Sequence, residues 1–393
     1  MRLIIYTGKG GTGKTVTACS TAIKLAEFNH KTIVISSDPA HSLGDAFAMP
    51  NIGYEMQEIL PNLEVLQIDP VEEMRKQFDT ILSYMASMFS AKGIDETLAY
   101  EIAMLPGMTQ LFSLLKIEDL IKQKSFDAIV IDMPASGEAL RYLYFPKLVG
   151  SIGRKLTGLA GMFGGVARIF QPLSTVPMPS KGVIRSEANL IERLQYLSEI
   201  IRDNNITSIR LVANPDSFSI ENAKRALMSA SLFGINVDLA IINKIMPHQT
   251  SDQYYANWAE FQKRKVEEAR ANFYPLPLKE IFLHSTELRG LEMLRKNSEL
   301  IFGNEDPAKI YHRGKAFHFT SEGNSMRMTI KVPFTEKDDF DLERYGDQLK
   351  IKVKNPVGYI VNIIPLPSAT LSMKLSKAKL EGDELVVLFE KSV

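Results

Sequence analysis

A glycine-rich stretch near the start of the chain carries residues suited to binding phosphate. Residues 8–15 are Gly-Lys-Gly-Gly-Thr-Gly-Lys-Thr; an apolar run precedes them and a helical pattern follows. Glycines let backbone N–H groups turn around an anion without Cβ clashes, and a helix N-terminus adds a field that favours negative charge. In such a loop the lysine, Lys14, reaches the β- and γ-phosphates, and the hydroxyl of Thr15 can ligate Mg²⁺.

The same glycines also fit the Gly-x-Gly-x-x-Gly pattern of dinucleotide-binding folds. Asp38 follows the next apolar run, where such folds place a ribose-binding acid. Lys14 and Thr15 favour the triphosphate, because a hydride-transfer site has no use for a lysine aimed at a terminal phosphate. Asp132 supports this choice, since it ends a buried apolar run as the acid of a Walker B segment does.

The elements that must position these residues follow from the apolar runs of the chain. Core strands are predicted at residues 3–6, 32–36, 63–68, 128–131, 209–213 and 237–242. Helical patterns separate them, which favours an α/β fold: a P-loop NTPase parallel sheet with helices on both faces. Helical insertions at about 71–123 and 148–204 interrupt the alternation, and we expect them to form one helical subdomain beside the sheet.

The pattern changes to short alternating strands after residue 311. Residues 326–332 alternate between apolar and polar side chains, and Gly-Asp turns separate the later apolar segments. This pattern predicts a small C-terminal all-β sandwich. We therefore expect an ATPase domain at 1–311, a linker at 312–323 and the sandwich at 324–393.

Composition limits the classes of function and the compartment. The 393 residues carry 46 Lys and Arg against 46 Asp and Glu, so global charge does not imply a nucleic-acid partner. Cys19 is the only cysteine, which excludes an intrachain disulfide and argues against a cysteine metal cluster within one chain. The first predicted strand begins at Arg2 and no uncharged apolar run is long enough to span a membrane. We expect a cytoplasmic protein, or a stromal one after processing.

Several motifs together resemble those of the ArsA and tail-anchored-protein-targeting (GET pathway) ATPases. Residues 8–15 are similar to the deviant Walker A loop of that family, with Lys9 as its signature lysine. In the family this lysine reaches the nucleotide of the opposing subunit, so the resemblance implies a homodimer. Residues 38–45 resemble the first switch and residues 132–141 the second, although Met133, Ala135 and Glu138 depart from the usual second-switch residues. The C-terminal sandwich resembles the α-crystallin-like domain of small heat-shock proteins.

The resemblance implies roles for particular residues. Catalysis would involve Lys14, Lys9 and Asp38, with Asp38 orienting the attacking water. The implied nucleotide-binding residues are Gly8, Lys9, Gly10, Gly11, Thr12, Gly13, Lys14, Thr15, Val16, Asn243, Lys244, Pro275, Leu276 and Pro277. Among them, Asn243 stands where the family places an adenine-reading Asn, and residues 275–277 resemble an adenine-side loop. Thr15 and Asp38 would bind Mg²⁺, and Asp132 would act on the ion from the outer coordination sphere. The implied switch residues are His41, Asp45, Gly137 and Arg141. The chain has no CxxC to clamp zinc across a dimer and no paired cysteines to bind arsenite.

Methionines and apolar residues of the two insertions are candidates for binding a hydrophobic client. They are Met85, Met88, Met104, Met108, Leu159, Met162 and Phe163. Flexible Met-rich surfaces accept varied apolar partners, and in the targeting ATPases the equivalent segments form a groove for a transmembrane helix. The alternative, favoured for most single positions, is that these side chains simply pack a helical bundle.

The sequence therefore predicts an ATPase that hydrolyses ATP and couples nucleotide state to the opening and closing of a client groove. Such a protein would be a chaperone or targeting factor for membrane proteins, with a membrane receptor as a possible further partner. The alternative is a nucleotide-dependent scaffold or holdase with slow or no hydrolysis, acting through the β-sandwich.

Overall fold

The computed structural model describes residues 1–36, 42–69, 73, 108–133, 143, 181–247, 253–314, 317–323, 325–346, 348–355 and 358–391. All elements and contacts below lie within these ranges.

An eight-stranded sheet forms the N-terminal part of the chain. Its strands are β1 (Arg2–Thr7), β2 (Thr32–Ser36), β3 (Gln57–Leu60), β4 (Leu63–Gln67), β5 (Ala128–Asp132), β6 (Thr207–Ala213), β7 (Val237–Ile245) and β8 (Leu278–Phe282). Their order is β3-β4-β2-β5-β1-β6-β7-β8, and only the β3–β4 pair is antiparallel. Because β1 lies between β5 and β6, the glycine-rich loop leaves the middle of the carboxyl edge of the sheet.

Helices cover both faces of this sheet. They are α1 (Lys14–Glu27), α2 (Ser42–Phe47), α3 (Met108–Gln123), α4 (Lys181–Arg202), α5 (Ser217–Phe233), α6 (Gln253–Phe273) and α7 (Leu291–Phe302). Alternate residues of β1 face different layers: Leu3 and Ile5 pack with α3 to α6, whereas Ile4 and Tyr6 pack with α1, α2 and α7. The predicted α/β class is confirmed.

The described ends of the two expected insertions pack directly on the sheet. Leu114 of α3 and Leu197 of α4 belong to the same buried cluster as Leu3. Arg193 of α4 joins the two helices, because its Nε donates to Glu118 Oε2 at 2.7 Å and its Nη2 to Asp119 Oδ1 at 2.7 Å. Met108 is the first residue of α3. The other candidate client residues, Met85, Met88, Met104, Leu159, Met162 and Phe163, lie outside the described residues. No helix in the described ranges is long and apolar enough to cross a membrane.

The C-terminal part is built of antiparallel strands in two sheets. The strands are β9 (Phe317–Glu322), β10 (Ser325–Lys331), β11 (Phe340–Tyr345), β12 (Gln348–Asn355), β13 (Gly358–Pro365), β14 (Met373–Glu381) and β15 (Glu384–Lys391). One sheet has the order β14-β15-β10-β9 and the other β11-β12-β13. Alternate residues such as Ile330 of β10 and Ile351 of β12 are fully buried, as the strand pattern predicts.

The all-β part begins before the predicted end of the linker. Strand β9 lies within residues 312–323 and pairs with β10 along its whole length. Phe317 and Phe319 pack against the core while His318 alternates with them, a period of two that marks a strand. Residues 312–323 are therefore not a linker throughout.

Helix α5 connects the sheet to the sandwich. Asn362 of β13 donates through Nδ2 to the carbonyl of Leu232, and Thr335 Oγ1 lies 3.8 Å from Met228 Sδ. The apolar core of the sandwich is continuous with the core on this face of the large sheet. Asn236 fixes the connecting segment, since its Nδ2 donates to His312 O at 2.9 Å and its Oδ1 accepts from Gly314 N at 3.1 Å.

Candidate functional site

The loop between β1 and α1 lies against the ends of β6 and β7. A Cβ at Gly8 would stand 2.1 Å from the carbonyl oxygen of Val212. Gly13 has a φ of 91°, and a Cβ there would stand 2.3 Å from Asn243 Nδ2. Only glycine permits these two close approaches, so the sequence pattern is what places the loop beside its neighbours.

Two side chains of the loop donate hydrogen bonds to the same backbone carbonyl within it. Thr12 Oγ1 donates to the carbonyl of Lys9 at 2.8 Å. The ammonium of Lys14 donates to the same carbonyl at 3.2 Å, and the Lys14 side chain is buried. Its charge therefore stands at the start of α1, where loop N–H groups and the helix dipole favour an anion.

Thr15 and Asp132 bring two oxygen ligands together beside the loop. Thr15 Oγ1 donates to Asp132 Oδ2 at 2.7 Å, and Ser36 and Ser42 approach the same oxygen at 3.4 Å. The register that pairs Tyr6 of β1 with Asp132 of β5 sets this contact. Hydroxyl and carboxylate oxygens are the ligands Mg²⁺ prefers, so these residues fit the ion. In the described ranges there is no cluster of three or more His, Cys, Asp or Glu that could hold a metal by itself. Phosphate and water oxygens would supply the other ligands, as is usual for Mg²⁺.

Asn243 and Lys244, at the end of β7, brace the loop from the other side. Asn243 Nδ2 donates to Thr12 O at 2.8 Å and its Oδ1 accepts from Lys244 N at 2.9 Å. Lys244 Nζ donates to Gly11 O at 2.7 Å, and the residue has a φ of 62°. This left-handed conformation is uncommon for lysine, and it accompanies the turn of the side chain onto the loop.

A cavity of about 450 Å³ opens beside the loop. Its lining residues are Gly11, Gly13, Lys14, Thr15, Val16, Asn243, Lys244, Phe282, Leu283, His284, Thr286, Glu287 and Leu288. The cavity has a cationic, glycine-lined end at Lys14 and an apolar end at Phe282 and Leu283. The cationic end suits anionic phosphates and the apolar end suits a planar base, so the cavity fits a nucleotide.

Comparison with known proteins agrees with this geometry. Residues 1–303 match the family described as anion-transporting ATPase, and residues 323–389 match an HSP20-like domain found in ArsA. The chain belongs to the ArsA family of anion-transporting ATPases. The resemblance drawn from the motifs is confirmed, and so is ATP hydrolysis as the activity.

Relatives of this ArsA-family ATPase extend over nearly its whole length. A provisionally named arsenical pump-driving ATPase 1 of Aquifex aeolicus is 32% identical over 397 residues, which covers 98% of this chain and 99% of the relative. A provisionally named arsenical pump-driving ATPase of Chlorobaculum tepidum is 31% identical over 396 residues, or 99% of this chain and 96% of that protein. The ATPase get3 of Sclerotinia sclerotiorum is 30% identical over 318 residues, or 77% of this chain and 89% of that protein.

Residues 275–277, expected to bind the base, do not lie beside the P-loop. Pro275 and Leu276 line another cavity, shared with His312, and Pro277 O accepts from Ala240 N at 3.0 Å. Residues 275–277 precede β8, and in a parallel sheet they lie at the edge opposite the P-loop. These three residues therefore do not line the cavity beside Lys14, whereas the end of β8 and the segment after it, residues 282–284 and 286–288, do. The position of this segment immediately after an apolar strand was the sequence signal we missed.

Several predicted switch residues lie outside the described residues. These are Asp38, His41, Gly137 and Arg141. Asp45 is described and lies exposed on α2. The roles of all five remain predictions.

Lys9 is not among the residues that line the cavity beside Lys14. Its side chain is exposed, and Nζ lies 5.3 Å from the ring centroid of Phe218 at the start of α5. Within the part of the chain that the structure describes, the cavity lining includes Lys14 and not Lys9. The two lysines of the loop therefore face different surroundings.

ATP hydrolysis by this site requires charge neutralisation, alignment and a positioned water. Lys14 and the loop N–H groups would hold the phosphates, and Mg²⁺ bound near Thr15 would neutralise charge that develops on them. Asp132 holds the Thr15 hydroxyl in place through their 2.7 Å hydrogen bond. The residues expected to bind and position the phosphates thus lie on or beside β1, β5, α1 and β7.

Proposed function

We propose that this ATPase works as a homodimer whose two nucleotide sites are shared between subunits. The observation that carries the proposal is the exposure of Lys9, which is not among the residues that line the cavity of its own chain. An exposed lysine at the rim of the loop is accessible to a nucleotide held by a second copy. In this dimer Lys14 and Lys9 neutralise phosphate charge from two subunits, and Asp38 orients the attacking water.

Nucleotide state would then control the switch segments. Asp38, His41 and Asp45 belong to the first switch, and Gly137 and Arg141 to the second. Asp132 stands at the start of the second switch and contacts Thr15. Loss of the γ-phosphate and of the Mg²⁺ contacts would therefore shift Asp132 before the rest of the switch. We propose that this movement opens and closes a groove for hydrophobic clients, including transmembrane segments of membrane proteins. Family membership and the HSP20-like domain support this chaperone or targeting role.

A second candidate is a holdase that acts through the β-sandwich with little dependence on hydrolysis. Large apolar side chains are exposed on the sandwich at Tyr345, Tyr359 and Leu371. Exposed apolar surface of this kind can hold unfolded chains.

A thiolate-based arsenite site is not part of the proposal, although two relatives carry arsenical-pump names. The single cysteine, Cys19, is fully buried on α1. Burial raises the pKa of its thiol and the Asp132 carboxylate adds to the rise, so Cys19 is a poor ligand for a soft metal or for zinc.

Mixing two impaired variants tests the shared site. Lys9→Ala and Lys14→Ala proteins should each have a lowered kcat alone and should hydrolyse ATP faster when mixed. A mixed dimer has one site with Lys14 from one chain and Lys9 from the other. If Lys9 acts on its own chain's nucleotide, no combination is complete and the mixture is no faster than the average of the two variants, which would refute the proposal.

A defined client tests the groove. Asp38→Asn protein with ATP should retain a transmembrane-helix peptide, and the same protein with ADP should release it. Protection of an unfolded soluble protein that is unchanged by Lys14→Ala, without nucleotide-dependent binding of the peptide, would support the holdase instead.

A further inference from the structure

Phe218 presents its ring to the ammonium group of Lys9. Nζ of Lys9 lies 5.3 Å from the ring centroid, within the range of a cation–π interaction. Phe218 is 76% exposed, so the ring is not needed to fill a core. An aromatic residue left in solvent beside a functional lysine suggests a role for the ring itself.

The backbones that carry the two residues are both held in place. Asp216 caps α5, since its Oδ1 accepts from Ser219 N at 2.9 Å and its Oδ2 from Ser219 Oγ at 2.9 Å. The close approach of Gly8 to Val212 O fixes the loop beside the end of β6, which leads into α5. The mobile part of the pair is therefore the lysine side chain, whose long stem has many rotamers.

We propose that Phe218 is a positioning residue for Lys9 in ATP hydrolysis. Its ring face holds the exposed ammonium beside the start of α5, outside the lining of the chain's own cavity, ready to meet a second subunit. The inference rests on the proposed shared site. Restricting the lysine before the dimer closes lowers the entropic cost of placing its charge on the partner's nucleotide.

The test compares ATP hydrolysis by Phe218→Leu and Phe218→Tyr proteins. Leucine keeps apolar bulk but removes the π-face, so kcat should fall about two- to fivefold, the strength of an exposed cation–π contact. Tyrosine keeps the face and should retain the wild-type kcat. KM for ATP should change less than kcat, because Lys9 is proposed to neutralise charge that develops on the partner's phosphates during hydrolysis. Tyr274→Leu removes an aromatic ring that is 83% exposed at the opposite edge of the sheet, and is the matched control.

The Lys9→Ala background separates this inference from the proposal on which it rests. If Phe218 acts through Lys9, Phe218→Leu should have no further effect on kcat in that background. A normal or raised kcat in Phe218→Leu, while Lys9→Ala lowers it, would overturn the positioning role and leave the shared site standing. A loss of kcat that persists in Lys9→Ala would also overturn it. A wild-type kcat for Lys9→Ala would overturn both.

Discussion

The Thr15 hydroxyl donates to Asp132 Oδ2 at 2.7 Å, joining the P-loop to the end of β5. Strands β1 and β5 are neighbours, and their parallel register brings the two residues to the same edge of the sheet. The contact links the residue that would ligate Mg²⁺ to the start of the second switch. It is therefore a direct connection between the P-loop and the segment expected to move.

Asp132→Asn should lower kcat for ATP hydrolysis about 10- to 100-fold, the usual effect of removing a partner that orients a metal ligand. The amide keeps the shape of the carboxylate but loses its charge, so Thr15 and Mg²⁺ are held less well. Steady-state hydrolysis measured across a Mg²⁺ titration should show the loss together with a weaker dependence on the ion. Ser36→Ala removes a longer, 3.4 Å contact to the same oxygen and should have a smaller effect. Equal effects of the two variants would contradict this account.

Leu283→Ala should raise KM for ATP about fivefold, because about 1 kcal/mol of apolar contact with the base is removed. Leu283 is 47% exposed, so the change should leave the fold intact. The matched variant Pro277→Ala changes the segment first expected to hold the base, and its KM should equal that of the wild type. Nucleotide binding followed by a fluorescent ATP analogue would check both. The opposite pattern would restore residues 275–277 to the site.

Asp238→Ala should destabilise the protein by about 3–5 kcal/mol, because a buried arginine loses its counter-charge. Arg210 and Asp238 are fully buried, with Nε 3.3 Å from Oδ1. Burial works to lower the pKa of Arg210, but Asp238 and Tyr6 outweigh it and raise the pKa, so the guanidinium stays charged. Urea unfolding would measure the loss. Arg210 Nη2 also donates to the carbonyls of Pro307 at 2.6 Å and Lys309 at 3.4 Å. A change of less than about 1 kcal/mol would show that these carbonyl contacts alone satisfy Arg210.

The junction between sheet and sandwich should weaken in mild acid. Burial, with Lys331 adding to it, lowers the pKa of His312, although Asp238 opposes the shift. Because the pKa is lower in the folded protein, the unfolded chain binds this proton at higher pH. The folded state therefore loses stability as pH falls through about 6.5, the pKa of a solvent-exposed histidine. The unfolding free energy of the wild type should fall more between about pH 7.5 and pH 5.5 than that of His312→Gln. Parallel losses in the two proteins would assign the pH dependence to other groups.

The sequence by itself determined the P-loop, the strand–helix alternation, the C-terminal sandwich and the family. These depend on local order: glycine spacing fixes a loop, and apolar periods of two or about 3.6 fix strands and helices. Lys14, Thr15 and Asp132 could be assigned in this way, because each follows directly from a strand end or a loop position. Strand β9 had the same local signal in Phe317 and Phe319, which we overlooked.

Only the tertiary structure decided which segments meet around the nucleotide cavity. Residues 275–277 and 282–288 flank the same strand, and the direction of β8 in the sheet places just the second beside Lys14. Asn243 was predicted to bind the nucleotide; it lines the cavity, and packing also brings its amide to the carbonyl of Thr12, which the sequence did not indicate. The pairing of Lys9 with Phe218 likewise joins two distant parts of the chain. Such contacts depend on the order of the strands in the sheet and on how the helices pack against it, and a local sequence pattern carries no information about either.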